Sequence, residues 1–316
     1  MDNNDSGKTI KSYKGFDKNL CCLGFQYEVG KEYEIEGHIK CCEWGFHACE
    51  NPFEVFDYYD MLYSRFCEVE QSGELNKKTN TNITKVCSSK IKIVTELKLA
   101  DMIRLGIEWI KDITSTKDVD ISNHKNDDGK DYAYIGSRVW CANIGSSGFS
   151  AQIGSSVGCA RICSSGNSAL IGSSGDYAKI GSSGDYTLIG SSGNAAWISS
   201  SGDHAHIGSI GNHAQIGSSG DCAQIGSSGY STVIGSSGDD ARVDSSGEDS
   251  VICCAGNHSA VRAKIGSWIT LAEWIYSKDK DRMVPVCVKT EYVDGERIKE
   301  DTWYRIKNGE FVECKP

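Results

Sequence analysis

The sequence has no run near the ~20 consecutive apolar residues of a membrane-spanning helix, so no such helix is expected in it. Positive charge is scarce: 33 Lys and Arg stand against 43 Asp and Glu in 316 residues, a formal net charge of −10. Neutralising phosphates takes a basic face, so direct nucleic-acid binding is not expected. Acidity instead favours solubility, a basic partner or imitation of a polyanion. The opening Met1-Asp2-Asn3-Asn4-Asp5 lacks the charged and apolar regions of a signal peptide, so export by the usual route is not expected. Cysteine is plentiful at 15, but the count is odd and no Cys-x-x-Cys occurs. The thiols therefore read as reduced, in a cytoplasm, rather than as a disulfide framework.

What is there is a repeat. Isoleucine or valine returns every ninth residue from Ile135 through Ile144, Ile153 and Ile162 to Ile252 and Val261, without slippage. Two residues earlier sits a small side chain, usually alanine, with Thr187, Thr232, Ser250 and Ser259 as exceptions. In a strand, residues two apart share a face, so Ala and Ile point inward together. The intervening Gly-Ser-Ser-Gly-Asp has the composition of a tight turn. One such unit cannot bury its stripe alone, whereas stacked units share a continuous core. The expected fold is mainly β: a central parallel β-solenoid over residues 131–267, with two nine-residue units per coil suggested by the small core residues and three as the alternative.

A two-unit coil stacks Asp185, Asp203, Asp221 and Asp239 in one column ~4.8 Å apart, an acidic edge. Like charges this close repel, so each must be solvated, bonded to its own turn backbone, or met by a basic partner. The same geometry places Leu170, Tyr186, Leu188, His204 and His206 on one outward face and Tyr177 and Trp197 on the other. These are expected to form exposed apolar patches of the kind that mark contact surfaces. Packing on flanking domains would explain them as well. Neither face is a uniform threonine ladder, which disfavours ice binding.

The flanks read differently. Residues 10–113 suggest an α+β domain. It would hold a hairpin of Phe25–Val29 and Glu32–Glu36 around Gly30-Lys31, a helix starting at Asn51-Pro52, strands near Arg65–Glu70 and Lys90–Val94, and helical spacing from Leu99 to Ile113. Residues 114–130 would be a linker. From Trp268 onward bulky residues break the repeat, and 268–316 are expected to cap the rod with a small β-meander.

Tyr13-Lys14-Gly15-Phe16, Gly45-Phe46-His47-Ala48-Cys49-Glu50-Asn51-Pro52, the central Gly/Ser/Ala repeat and the tail motifs Val293-Asp294-Gly295-Glu296, Asp301-Thr302-Trp303-Tyr304 and Asn308-Gly309-Glu310-Phe311-Val312 resemble an uncharacterised family of phage and prophage proteins. The resemblance implies a viral or mobile-element context and a host-cell cytoplasm, and carries no activity. Tyr-Lys-Gly and Gly-Phe-His-Ala-Cys are also loosely similar to strand motifs of ADP-ribosyltransferase-like folds. Lys14 stands where that family has Arg or His, however, and no Ser-Thr-Ser or catalytic glutamate motif follows.

Three chemical readings compete with plain packing. Cys42, His47 and Cys49 supply soft ligands for zinc, but their spacing is not that of structural zinc sites. Gly/Asp-rich nonapeptides suggest calcium, but Asp directly follows Gly here, and Asn167, Asn194, Asn212 and Asn257 replace it. No metal and no cofactor is therefore expected. The function expected is non-enzymatic binding of a host protein or nucleoprotein complex through the acidic edge and aromatic faces, inhibiting a host defence factor. A homo-oligomerising virion stalk and an N-terminal transferase are the alternatives.

Overall fold

The computed structural model describes residues 9–77, 84–115 and 131–315. Contacts divide the chain after Trp109 into two compact units. The boundary thus falls inside a helix rather than after residue 113, and the expected linker lies, from 116 on, outside the described residues.

In the N-terminal unit, β1 (Ile10–Phe16), β2 (Cys21–Cys22), β3 (Phe25–Gln26), β4 (Glu32–Glu34) and β5 (Phe46–Cys49) precede a 3-10 helix, Pro52–Asp57. Then come β6 (Arg65–Lys77), β7 (Lys85–Leu97) and α1 (Leu99–Ser115), which from Ile110 on belongs to the second unit. Asn51 caps the 3-10 helix as its sequence suggests, its side chain accepting from the Phe53 N–H at 3.0 Å. The sheet curls back on itself: β6 pairs with β1 and β7, and β7 in turn pairs with β5 and β4. Its interior holds Phe16, Phe46, Val69, Ile91 and Ile93. The expected hairpin around Gly30-Lys31 does not form. Phe25–Gln26 pairs with Cys21–Cys22, while Glu32–Glu34 pairs with Lys90–Lys92 of β7. Gly30 donates to the Ile93 carbonyl and Ile93 to that of Lys31, so a longer partner outcompetes the local turn.

The second unit contains sixteen short strands, β8 (Tyr134–Ser137) to β23 (Trp268–Ser277), which stack into two parallel sheets of eight each. Partners are eighteen residues apart, for example Ile153 with Ile171 and Ile162 with Ile180, so each coil is two units. Ala and Ile columns from both sheets are buried, apart from the partly buried Ala133 of the first coil. Eight coils at ~4.8 Å make a rod roughly 34 Å long.

Two details differ from the sequence expectation. Each strand is x-Ile-Gly-Ser rather than x-Ala-x-Ile, so a serine also points inward, as Ser173 and Ser191 do. Positive φ falls on the residue after the Asp position, such as Tyr177 (58°) and His204 (55°), not on glycine. The turn glycine is needed for another reason: a Cβ on Gly202 would stand 2.1 Å from the carbonyl oxygen of Gly184 in the preceding coil.

Trp268 does not end the rod. It adds a final rung seventeen residues after Val251. The C-terminal strands then cap the rod by splitting between the sheets. β24 (Arg282–Tyr292) pairs antiparallel with β23, and β25 (Tyr304–Lys307) meets the Ala260–Ala263 strand and pairs with β26 (Glu310–Glu313).

Candidate functional site

The acidic column is present, with a bonding pattern that sequence reasoning missed. The Asp203 N–H donates to Asp185 Oδ1 at 2.9 Å, Asp221 to Asp203 at 2.8 Å and Asp239 to Asp221 at 2.8 Å. Each carboxylate therefore accepts from the next coil's backbone, not from its own turn. Asn serves equally: Asn167 Oδ1 accepts from Asp185 N–H, and on the opposite edge Asn194 Oδ1 accepts from Asn212 N–H, both at 3.0 Å. Only one acceptor oxygen is required, which is why Asp and Asn alternate freely here. The signal was in the sequence, as Asp and Asn sharing one position.

The expected faces are redistributed. Tyr177, Tyr186 and His204 occupy the positive-φ turn position, so they stand on the edges beside the Asp columns and not on the sheet faces. Tyr186 and His204 stack there with ring centroids 4.7 Å apart. Leu170 and Leu188 do point out of the first sheet but are buried. That face is not a bare surface: at Gly136 and Gly154 it lies against Thr114 and Ile110 of α1. His206 projects from the same row, partly buried.

The second sheet is where the exposed residues gather. Its outward column runs Arg161, Lys179, Trp197, Gln215, Val233, Val251 and Trp268, by strand pairing. Trp197, Val233, Val251 and Trp268 are 53%, 51%, 51% and 49% exposed. Lys179 lies 5.1 Å from the Trp197 ring. Trp268 pairs with Tyr292 of β24, their rings 5.1 Å apart, which carries the stripe one strand further.

A cleft of about 1090 Å³ opens in the N-terminal unit, lined by Lys14, Cys22, Phe25, Trp44, His47, Cys49, Tyr58, Tyr59 and Lys85. Its origin is topological. β1 and β5 close the curled sheet through a single residue pair, Tyr13 with Cys49, and then part. Beyond that pair the His47 carbonyl accepts from Lys14 Nζ at 3.0 Å, and Tyr59 Oη lies 3.3 Å from the same nitrogen. Gly15 leaves room for Tyr59, whose Cγ would be 2.3 Å from any Cβ there.

Burial sets the protonation states. It lowers the Lys14 pKa, and it lowers that of His47, with the Lys85 charge adding to the effect. It raises the Cys49 and Tyr59 pKa values far above their ordinary range and takes Tyr58 up to about 12. Nearby, burial lifts the Glu54 carboxyl to about 7 and Asp57 to about 6.

The soft ligands weighed for zinc do not converge. The Cys42 N–H donates to His47 Nε2 at 2.8 Å, which occupies the nitrogen a metal would use and leaves Nδ1 to carry the proton. Cys42 is exposed and Cys49 buried, and all fifteen cysteines are free thiols. Among the described residues no group of three His, Cys, Asp or Glu side chains gathers to hold an ion. Among them, too, no helix is long and apolar enough to cross a membrane.

Residues 10–105 match a family model described as a domain of unknown function, DUF7666. The match lies within the N-terminal unit, leaving out its first nine and last four residues, and covers none of the solenoid. Comparison with curated proteins and with solved structures finds no match.

Proposed function

We propose that the chain is a non-enzymatic binding protein whose solenoid holds a flat aromatic-apolar stripe against a macromolecular partner. The observation carrying this reading is the second sheet's outward column. Trp197, Val233, Val251 and Trp268 stand half-exposed on successive or near-successive rungs of one rigid sheet. Scattered single apolar residues need no explanation, whereas an aligned row spanning about 20 Å does. Parallel strands bonded on both sides fix these side chains before binding, so little ordering entropy opposes association.

The acidic edge supports a partner with a basic rim. Asp185, Asp203, Asp221 and Asp239 each commit Oδ1 to the backbone and keep a second oxygen for solvent or for a cation. Inhibition of a host defence factor belongs to the same proposal and rests on the phage-like motifs. The stripe can be tested by capturing partners from host lysate with wild type and with Val233→Glu/Val251→Glu. Both substitutions lie on an exposed face, so the fold should persist. Capture lost in the variant supports the stripe; equal capture by both proteins removes it. Light scattering distinguishes a stalk, which would self-associate through the same row.

A further inference from the structure

We propose that the cleft in the N-terminal unit binds small aromatic aldehydes or ketones covalently, as an imine on Lys14. Lys14 is 5% exposed, and its polar contacts are the His47 carbonyl, the Tyr59 hydroxyl and the Cys22 side chain. Among the described residues no carboxylate pairs with it. An ammonium ion in that setting would be a buried charge with no carboxylate beside it among the described residues, so the neutral amine, a nucleophile, is the cheaper state. Lys14 is also placed for chemistry and not only for packing, because it lines the cleft formed where β1 and β5 separate.

The walls indicate what enters. Five large apolar side chains are exposed on the described part of this unit: Leu23, Phe25, Val29, Trp44 and Tyr58. Four of them, all but Val29, line this cleft. Aromatic surface gathered at one opening, with the buried amine of Lys14 inside, fits a flat ring bearing a carbonyl group. Lys85 lies over the Tyr58 ring at 4.1 Å and adds positive charge at the same wall.

The step balances without a redox partner. The Nζ lone pair attacks the carbonyl carbon, and the carbonyl oxygen takes a proton from the Tyr59 hydroxyl. Tyr59 regains a proton from the nitrogen. The resulting carbinolamine loses its hydroxyl with the second N–H proton as water, leaving the C=N bond. Tyr59 is held in its protonated form by burial, so it can serve as that donor.

Benzaldehyde with cyanoborohydride on the full-length protein tests this, with each modified lysine quantified by peptide mass spectrometry across pH. Lys14 should label fastest and reach half-maximal labelling at lower pH than Lys264, whose ammonium is held by Asp301 and Glu300. Tyr59→Phe, which keeps the ring over Gly15, should slow labelling of Lys14 at least tenfold and leave Lys264 unchanged. Labelling of Lys14 no faster than Lys264, or with the same pH midpoint, overturns the proposal. The comparison is made within wild type, so it does not depend on a Lys14 variant folding.

Discussion

The two units pair their polar groups by opposite means. In the solenoid the partner of a backbone N–H is supplied by translation, from the strand ladders to the Asp columns, while inward hydroxyls such as those of Ser173 and Ser191 have no hydrogen-bond partner among the described residues. In the N-terminal unit single side chains serve single places. Gln71, fully buried, accepts from the Ser12 hydroxyl through Oε1. Through Nε2 it donates to the carbonyls of Phe46 and Val86 and to Ser88 Oγ. Repetition spreads stability over many equivalent contacts, and bespoke networks concentrate it. A defect should therefore be worst where no neighbour can substitute.

Gln71→Leu should have the largest effect. It keeps roughly the volume and takes this partner from the Ser12 hydroxyl and from the Phe46 and Val86 carbonyls inside the curled sheet, while Ser88 still donates to the Lys90 carbonyl. At about 1 to 1.5 kcal/mol for each of the three, the loss is about 4 kcal/mol. Hydrogen exchange at the amides of β6 and β7 would report it, with little change in the solenoid. Gly202→Ala is the solenoid counterpart: the new methyl meets a backbone carbonyl at 2.1 Å, which cannot swing aside. We expect about 3 kcal/mol, read as faster exchange confined to the coils around residue 202. A loss spread evenly over all coils would show that the rod unfolds as one block.

The same contrast governs what could be read from the sequence. Ile180 announces its place because Ile162 and Ile198 repeat it, and even the eighteen-residue coil follows from small core residues. A two-residue error in strand phase left the Ile and Ala columns inside but moved Tyr177, Tyr186 and His204 from faces to edges, because alternation alone does not say where a strand stops. The burial of Leu170 and Leu188 was illegible, since nothing in the repeat encodes what packs outside it. In the N-terminal unit the cleft depends on β1 and β5 meeting at one pair, a long-range event without local signal. His47 and Cys49 were visible as chemistry-bearing residues, whereas Lys14 drew notice only as a departure from a family motif.

pH should separate the units further. The Glu54 carboxyl is lifted to about 7 by burial, while Oε2 accepts from the Thr84 N–H at 2.8 Å and hydroxyl at 2.9 Å. A carboxyl whose folded pKa exceeds its unfolded value near 4.5 binds its proton more tightly when folded. Its contribution is fully present below about pH 4.5 and is lost as pH rises through 7. Asp57, lifted to about 6, acts in the same direction, whereas His47, lowered by burial, gains stability as pH rises. The clean quantity is thus the difference between wild type and Glu54→Gln. The variant should gain on wild type by on the order of 2–3 kcal/mol between pH 5 and pH 8, measured as urea midpoints of the N-terminal transition. Parallel midpoints at both pH values would mean that Glu54 ionises freely in the fold.

The smallest expected effect asks most of the comparison, because it tests whether a translated contact depends on charge. Asp203→Asn retains the acceptor oxygen for the Asp221 N–H, as Asn194 does for Asn212. It also removes one member of a column of like charges ~4.8 Å apart. Asp203→Ala removes both the charge and the acceptor. The asparagine variant should be as stable as wild type or slightly more so at low salt, by a few tenths of a kcal/mol, an advantage that fades as added salt screens the column. The alanine variant should lose about 1 kcal/mol at any salt concentration, because an N–H without its partner is not a screened interaction. Thermal melts of both variants across a salt series separate the two contributions. If asparagine proves as costly as alanine, the second carboxylate oxygen is holding the edge together as well, and the column is a structural device with no charge to spare for a partner.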